Sequence, residues 1–399
     1  MQGPISQLTS TEGPGAQRKL YVIFVASVAG LSGFLFGFDT AVINGVLLFL
    51  RHQFTLNDLQ TEIAASSLLL GCLLGAAGAS LIGDRFGRRK SLRLSAFLFA
   101  VSTLASALAP NVTVFSIGRL IAGLAIGISS VLTPMYISEI APARNRGTLV
   151  SMNQLAIVVG ILVAYLTNWR LAFLGESSWR WMLGIATIPA IAFFLGLLTI
   201  PESPRWLITH DQREKGRAVL ARIFGHESAE EQTRLIEHAH TQEGAGSWQE
   251  LFSPLMRSRL TLAIVLALAS QLTGINTVLY YGSILMAEHA GRLQAGTALG
   301  ANVAIGAINL VGTLIAMYLL DRWGRRPMLL TATAGMFLSL VLLVVCMSIK
   351  GVAPAIMGRR LDALEERLGV KLLVRTTRRI TLTHEGSAFL EDCQRLLAD

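Results

Sequence analysis

From Leu20 to Ile349 the chain alternates long apolar runs with short polar breaks. Nine runs stand out, at about 20–49, 62–83, 92–109, 112–138, 147–168, 181–200, 260–287, 296–319 and 328–349. Each holds the roughly 18 or more residues that an apolar helix needs to cross a bilayer. The pattern predicts an all-α membrane protein. One long polar stretch interrupts it, 201–259, with eight Lys/Arg and nine Asp/Glu. Its segment REKGRAVLARIFG repeats apolar positions at helical spacing, so short surface helices are expected there. Beyond Lys350 the sequence becomes mixed and contains no further span.

Composition agrees, and charge adds an orientation. The chain is 52% hydrophobic and only 15% charged, against about a quarter charged in soluble domains. A net charge of +9 would suggest nucleic acid in a soluble protein. Here the basic residues gather in DRFGRRK (84–90), EIAPARNRG (139–147) and DRWGRRP (321–327), while the alternate loops are poor in them. Basic loops stay on the cytoplasmic side. The polar arm 1–19, which has no cleavable signal after it, is therefore expected in the cytoplasm of a bacterium whose inner membrane holds the spans. Cys72, Cys346 and Cys393 offer neither a disulfide framework nor metal-ligand spacing, and no cofactor is expected. The motifs GxxxxGK[ST], HExxH and GxSxG do not occur, which argues against direct use of ATP and against an enzyme.

DRFGRRK and DRWGRRP are near copies 237 residues apart, each following the second span of its group. Two related halves are implied. The expected organisation is an arm (1–19), a six-helix bundle (20–200), a helical loop (201–259), a second half of only three spans (260–349) and a distinct tail (350–399).

Two ionisable residues lie well inside the runs, Asp39 in FGFDTAVING and Arg119 in SIGRLIAG. Immersed charge costs at least about 2.5 kcal/mol, so it is retained for function or for a partner. With a rise of about 1.5 Å per residue, Asp39 sits roughly 18 Å before Arg51 and Arg119 roughly 12 Å past Asn111. Their depths are comparable. Such a carboxylate has two stable conditions, ionised and paired or protonated and released; a permanent structural salt bridge is the plainer reading. Gln154, Gln271, Asn276, Tyr280 and Asn309 are uncharged polar residues within apolar runs. Amides and a phenol suit a polyhydroxylated ligand, because each hydroxyl donates and accepts; interhelical hydrogen bonds are the alternative. Asn276 and Tyr280 share a helix face, and Gly274 permits a break nearby.

GFLFGFDTAVING, DRFGRRK, GRLIAGLAIGISSVLTPMYISEIAPARNRG, SWRW, PESPRWL, QLTGINTVLYY and DRWGRRP, in that order, resemble the sugar porter family of the major facilitator superfamily over about residues 20–349. The resemblance implies two bundles rocking about a central monosaccharide site, with a pentose or hexose and a proton as partners. By resemblance Asp39 is the proton-coupling aspartate and Arg119 its partner. Gln154, Gln271, Asn276, Tyr280 and Asn309 match sugar contacts and Phe36 a cavity aromatic. Asp84, Arg88, Glu139, Arg146, Glu202, Asp321 and Arg325 fall on the family's cytoplasmic charge network. Two departures stand out. Ser270 precedes Gln271 where many members have a second glutamine, and the family's last three spans are not found.

The stretch LEERLGVKLLVRTTRR, within APAIMGRR…RLLAD, resembles the DNA-binding domain of LysR-type regulators, from its recognition helix (about 354–368) through wing strands (371–382) to a linker helix (384–398). A recognition helix needs its scaffold and a dimer to reach the major groove, and about 45 residues make too small a core. The tail is expected to be a short α+β winged-helix-like remnant that binds no nucleic acid. The alternatives are a membrane-tethered regulator and a fused, inactive remnant of a transporter.

Overall fold

Short polar sequences punctuate the helices as their chemistry dictates. In the computed structural model Asn57 caps helix α2: its Oδ1 accepts from the Gln60 N–H at 2.8 Å, and Gln60 Oε1 accepts from the Asn57 N–H at 3.2 Å. Asn111 caps α4 through the Val114 N–H at 2.9 Å. Such caps contribute about 1 kcal/mol each. In PESPRWL, Ser203 is an N-cap and Pro204 occupies the first turn, where its missing N–H costs nothing.

The structure describes residues 16–142, 146–242, 253–272, 274, 276, 279–282, 295–349, 365, 370–375, 380–383, 385 and 387. The helices are α1 (Ala16–Gln53), α2 (Asp58–Phe86), α3 (Arg88–Ala107), α4 (Val112–Ile140), α5 (Arg146–Leu171), α6 (Ser178–Gly184), α7 (Thr187–Thr199), α8 (Pro204–Thr209), α9 (Arg213–Phe224), α10 (His226–Gln242), α11 (Pro254–Leu272), α12 (Ala295–Trp323) and α13 (Arg325–Ile349). Five stretches among the described residues are long and apolar enough to cross a membrane, one of them running from Gly147 to Thr199 through α5, α6 and α7. The chain divides into two compact units, 1–317 and 318–399.

In the first unit, α1 packs on α5 and α2 on α4, with α3 against α4 and α7. Glycines set these distances. A methyl group on Gly37 would run into the Ile157 carbonyl, and one on Gly160 into the Phe34 carbonyl. On the other seam Gly71 and Gly123 face each other across α2 and α4. Small residues here let backbones touch.

Two expected spans are corrected. The sixth (181–200) is two pieces, α6 and α7. Pro189 has no N–H for the Ile185 carbonyl, which instead accepts from Ile188 at 3.1 Å, so the helix tightens there. The seventh (260–287) stops at Leu272, and Gly274 adopts φ +76°, a left-handed conformation that glycine tolerates. Beyond it, residues 276 and 279–282 are again helical.

Trp179, fully buried in α6, explains SWRW. It stands edge-on to Phe54 and Phe115, and its Nε1–H donates to Gln53 Oε1 at 2.5 Å. Arg180 covers its ring at 4.3 Å and donates to the Ala107 and Ala109 carbonyls at 2.9 and 3.0 Å. One motif thus ties α1, the α3–α4 connection and α6.

The polar region forms α8, α9 and α10, as its periodicity predicts. Arg213 pairs with Glu230 at 2.9 Å and Glu237 at 2.8 Å. Hydrogen bonding to Glu237 raises the guanidinium pKa further. His238 is exposed.

The second unit holds α13 and strands β1 (Leu373–Arg375) and β2 (Ile380–Leu382), paired antiparallel with Val374 opposite Thr381. The strands fall within the expected wing. Most of the helices expected at 354–368 and 384–398 lie outside the described residues. A hairpin alone does not make a winged helix.

Candidate functional site

Asp39 and Arg119 meet where α1 crosses α4. Arg119 Nη1 donates to Asp39 Oδ1 at 2.5 Å, and Nη2 reaches the Asp39 carbonyl at 3.4 Å. Asp39 is 0% exposed and Arg119 1%. Among the described residues Asp39 Oδ2 has no hydrogen-bond partner. Further along the same seam Ser32 and Thr133 share a hydrogen bond of 2.6 Å, beside Pro134 inside α4. The carboxylate is therefore held through one oxygen, within the bundle and away from water.

Tyr280, on the helical turn 279–282, is buried beside Thr40 of α1. Gln271, exposed at the end of α11, accepts from Asn276 Nδ2 at 2.7 Å. Asn276 and Tyr280 thus differ in exposure and in partner. Gln154 on α5 and Asn309 on α12 are exposed, and Phe36 is half-buried against the bundle core.

Four of the seven residues of the charge network have described side chains. Arg88, buried, pairs with Asp84 at 2.9 Å and with Glu139 at 3.2 Å. Glu202 accepts from the backbone N–H groups of Arg89 at 2.8 Å and Ser203 at 3.0 Å. Arg89 also donates to the Leu197 and Leu198 carbonyls at 2.9 and 2.7 Å. The side chains of Arg146, Asp321 and Arg325 lie outside the described residues.

Sequence reasoning missed a second set of buried polar groups. Asn44, Asn168 and Asn302 are each 1% exposed or less. Asn44 Nδ2 donates to the Leu279 carbonyl at 3.0 Å, and Asn302 Nδ2 to Asn44 Oδ1 at 3.1 Å. Asn168 Nδ2 donates to the Val42 carbonyl at 3.2 Å. An amide inside an apolar run was the available signal.

A six-span bundle with an immersed ion pair, followed by further apolar helices in a second, related half, defines a multi-pass membrane transporter of the major facilitator fold. Residues 25–358 match the family described as Sugar (and other) transporter, and 350–387 match the bacterial regulatory helix-turn-helix proteins of the lysR family. The chain is 40% identical over 339 residues to the D-xylose transporter of Levilactobacillus brevis, covering 84% of this chain and 73% of that one. It is 38% identical over 328 residues to the galactose-proton symporter of Escherichia coli K12, covering 81% and 70%. A solved structure of the proton:xylose symporter XylE bound to 6-bromo-6-deoxy-D-glucose aligns with TM-score 0.69 at 33% identity, covering 78% of this chain and 71% of that one. The chain belongs to the sugar porter family of the major facilitator superfamily. Its members are transporters and not enzymes.

Proposed function

We propose that this chain carries a pentose or hexose across the membrane together with a proton. The observation behind this reading is the buried Asp39–Arg119 pair, whose carboxylate keeps one oxygen unengaged among the described residues. Protonation at Oδ2 neutralises Asp39 and weakens its hold on Arg119. The crossing of α1 and α4 then loosens, and α1 can shift against its neighbours.

Sugar hydroxyls are met by Gln154, Gln271, Asn276, Tyr280 and Asn309, which together donate and accept. Phe36 offers an apolar surface to the ring. The halves then rock, and both cargoes leave on the other side. Asp84, Arg88, Glu139, Arg146, Glu202, Asp321 and Arg325 act as a charge latch, with pairs that form in one state and break in the other. The arm before α1 lies in the cytoplasm. Relatives described as a D-xylose transporter and a galactose-proton symporter support the choice of cargo.

The test is uptake of labelled xylose, galactose and glucose by cells lacking their own sugar porters, with and without an uncoupler. Uncoupler-sensitive accumulation is the expected result. No uptake of any of the three, with the protein present in the membrane, would remove this reading.

A further inference from the structure

Gly71, Gly75 and Gly83 of α2 meet Leu120, Leu124 and Leu132 of α4 in turn. The two helices therefore run parallel and begin on the same face of the membrane. Between the first of these contacts and the opening turns of both helices lies a groove of about 430 Å³, within the roughly 300–1,000 Å³ usual for ligand pockets. It opens on the flank of α2 away from the bundle core. Thr61, Ala64, Ala65 and Leu68 are buried on the core side, whereas Ile63 and Leu70, like Ile117 of α4, are more than half exposed.

The lining changes with depth. Gln60, Thr113 and Ser116 stand at the mouth, and Ile63, Leu70, Ile117 and Leu120 continue below them. From Gln60 to Leu70 the groove descends about 15 Å along α2, and from Thr113 to Leu120 about 10 Å along α4. No charged side chain lines it. The polar groups at the mouth are donors that lack acceptors. Gln60 Oε1 is taken by the Asn57 N–H, which leaves the Nε2 group over. Ser66 and Ser67, in the same groove, turn back onto the Glu62 and Ala64 carbonyls at 2.6 and 3.0 Å. The hydroxyls of Thr113 and Ser116 bond nothing among the described residues.

The complementary ligand has acceptors at its membrane-boundary end, a long apolar body and no charge where it meets the groove. We propose that the groove binds one glycerophospholipid of the adjoining leaflet. An acyl chain lies against Ile63, Leu70, Ile117 and Leu120, and the ester carbonyls accept from Gln60, Thr113 and Ser116. Another transmembrane helix fits less well, because its own carbonyls are bonded internally and leave these donors unmet. The chain fills the space beside Leu120, the neighbour of Arg119 in sequence. It thereby steadies the turn of α4 that carries the buried ion pair.

The experiment uses the full chain in phosphatidylcholine vesicles doped with a phosphatidylcholine that carries a diazirine in one chain. Two versions of this probe are compared, ester-linked and ether-linked. After illumination, peptide mapping should place adducts within 63–70 and 117–120. The ester probe should label these stretches about fivefold more than the ether probe, the worth of about one hydrogen bond. Thr113→Val should lower labelling by the ester probe about as much and leave the ether probe unchanged. Ser116→Leu, which fills the groove, should lower both on the order of tenfold, as for losing about two buried methylene groups. Ser80→Leu, exposed on α2 outside the groove, should change neither. Adducts spread evenly over the lipid-facing helices, none within the two stretches, or equal labelling by both probes overturns the proposal. Should Ser116→Leu fail to reach the membrane, the two probes on the parent chain and on Thr113→Val decide alone. Labelling needs no sugar, so a chain that takes up none can still bind the lipid as described.

Discussion

Asp39 and Arg119 stand 80 residues apart in the chain, yet their side chains lie 2.5 Å apart with no more than 1% of either residue exposed. A pair this deep is costly to break from one side. Arg119→Ala leaves a carboxylate without its cation and should cost about 3–5 kcal/mol, read as a fall in melting temperature in detergent. Asp39→Asn keeps the shape and removes the charge. It should abolish uncoupler-sensitive accumulation while sparing sugar exchange down a gradient. Intact uphill accumulation in Asp39→Asn would show that the coupling group is elsewhere.

The crossing of α1 and α5 has no room for a methyl group. Gly37→Ala and Gly160→Ala should each destabilise the bundle by about 1–3 kcal/mol through overpacking. Gly30 has open space around it, so Gly30→Ala should be nearly silent. Thermal unfolding of the three variants side by side checks this; equal midpoints would mean that the helices simply separate to accommodate the change.

Gln271 and Asn276 are hydrogen-bonded to each other at 2.7 Å. Replacing either with alanine should raise the KM for sugar roughly fivefold, about 1 kcal/mol of lost binding. The double replacement should cost less than the sum, because each single change already disturbs the other partner. A fully additive cycle would place the two at independent contacts.

Glu202 gathers the N–H groups of Arg89 and Ser203 on one oxygen. Glu202→Ala leaves both donors without their charged acceptor and should cost about 1–3 kcal/mol. The start of α8 should then become more open to protease. An unchanged digestion rate would show that Pro204 and the Ser203 cap suffice.

Much of the architecture was readable because a bilayer demands length and apolarity, and both are plain in the sequence. The Asp39–Arg119 contact was readable too, since a charge within an apolar run narrows the choice of partner to another such charge. Breaks inside spans were harder. Pro189 and Gly274 were visible, but a proline or glycine within a span can equally be absorbed by neighbouring helices. The asparagines at 44, 168 and 302 went unnoticed for a different reason. Their helices are apolar on nearly every side, so periodicity does not say which face turns inward. Only the packing assigns a partner to each amide. Glu202 illustrates the same limit: its motif was legible, but its engagement with the backbone of Arg89 was not.

Arg89 and Arg93 have a further consequence. Both guanidiniums donate to the Leu197 carbonyl, and Arg89 also to that of Leu198, at the C-terminal end of α7. That end carries the negative pole of its helix dipole. The α7 carbonyls exist as acceptors only once the sixth span is in place, more than a hundred residues after the arginines. Until α7 has been made, the two guanidiniums lack these acceptors. In the finished protein the same cations neutralise a helix terminus. The stretch RRKSLR thus enters the fold as a run of loose cations and ends as a weld between α3 and the end of α7.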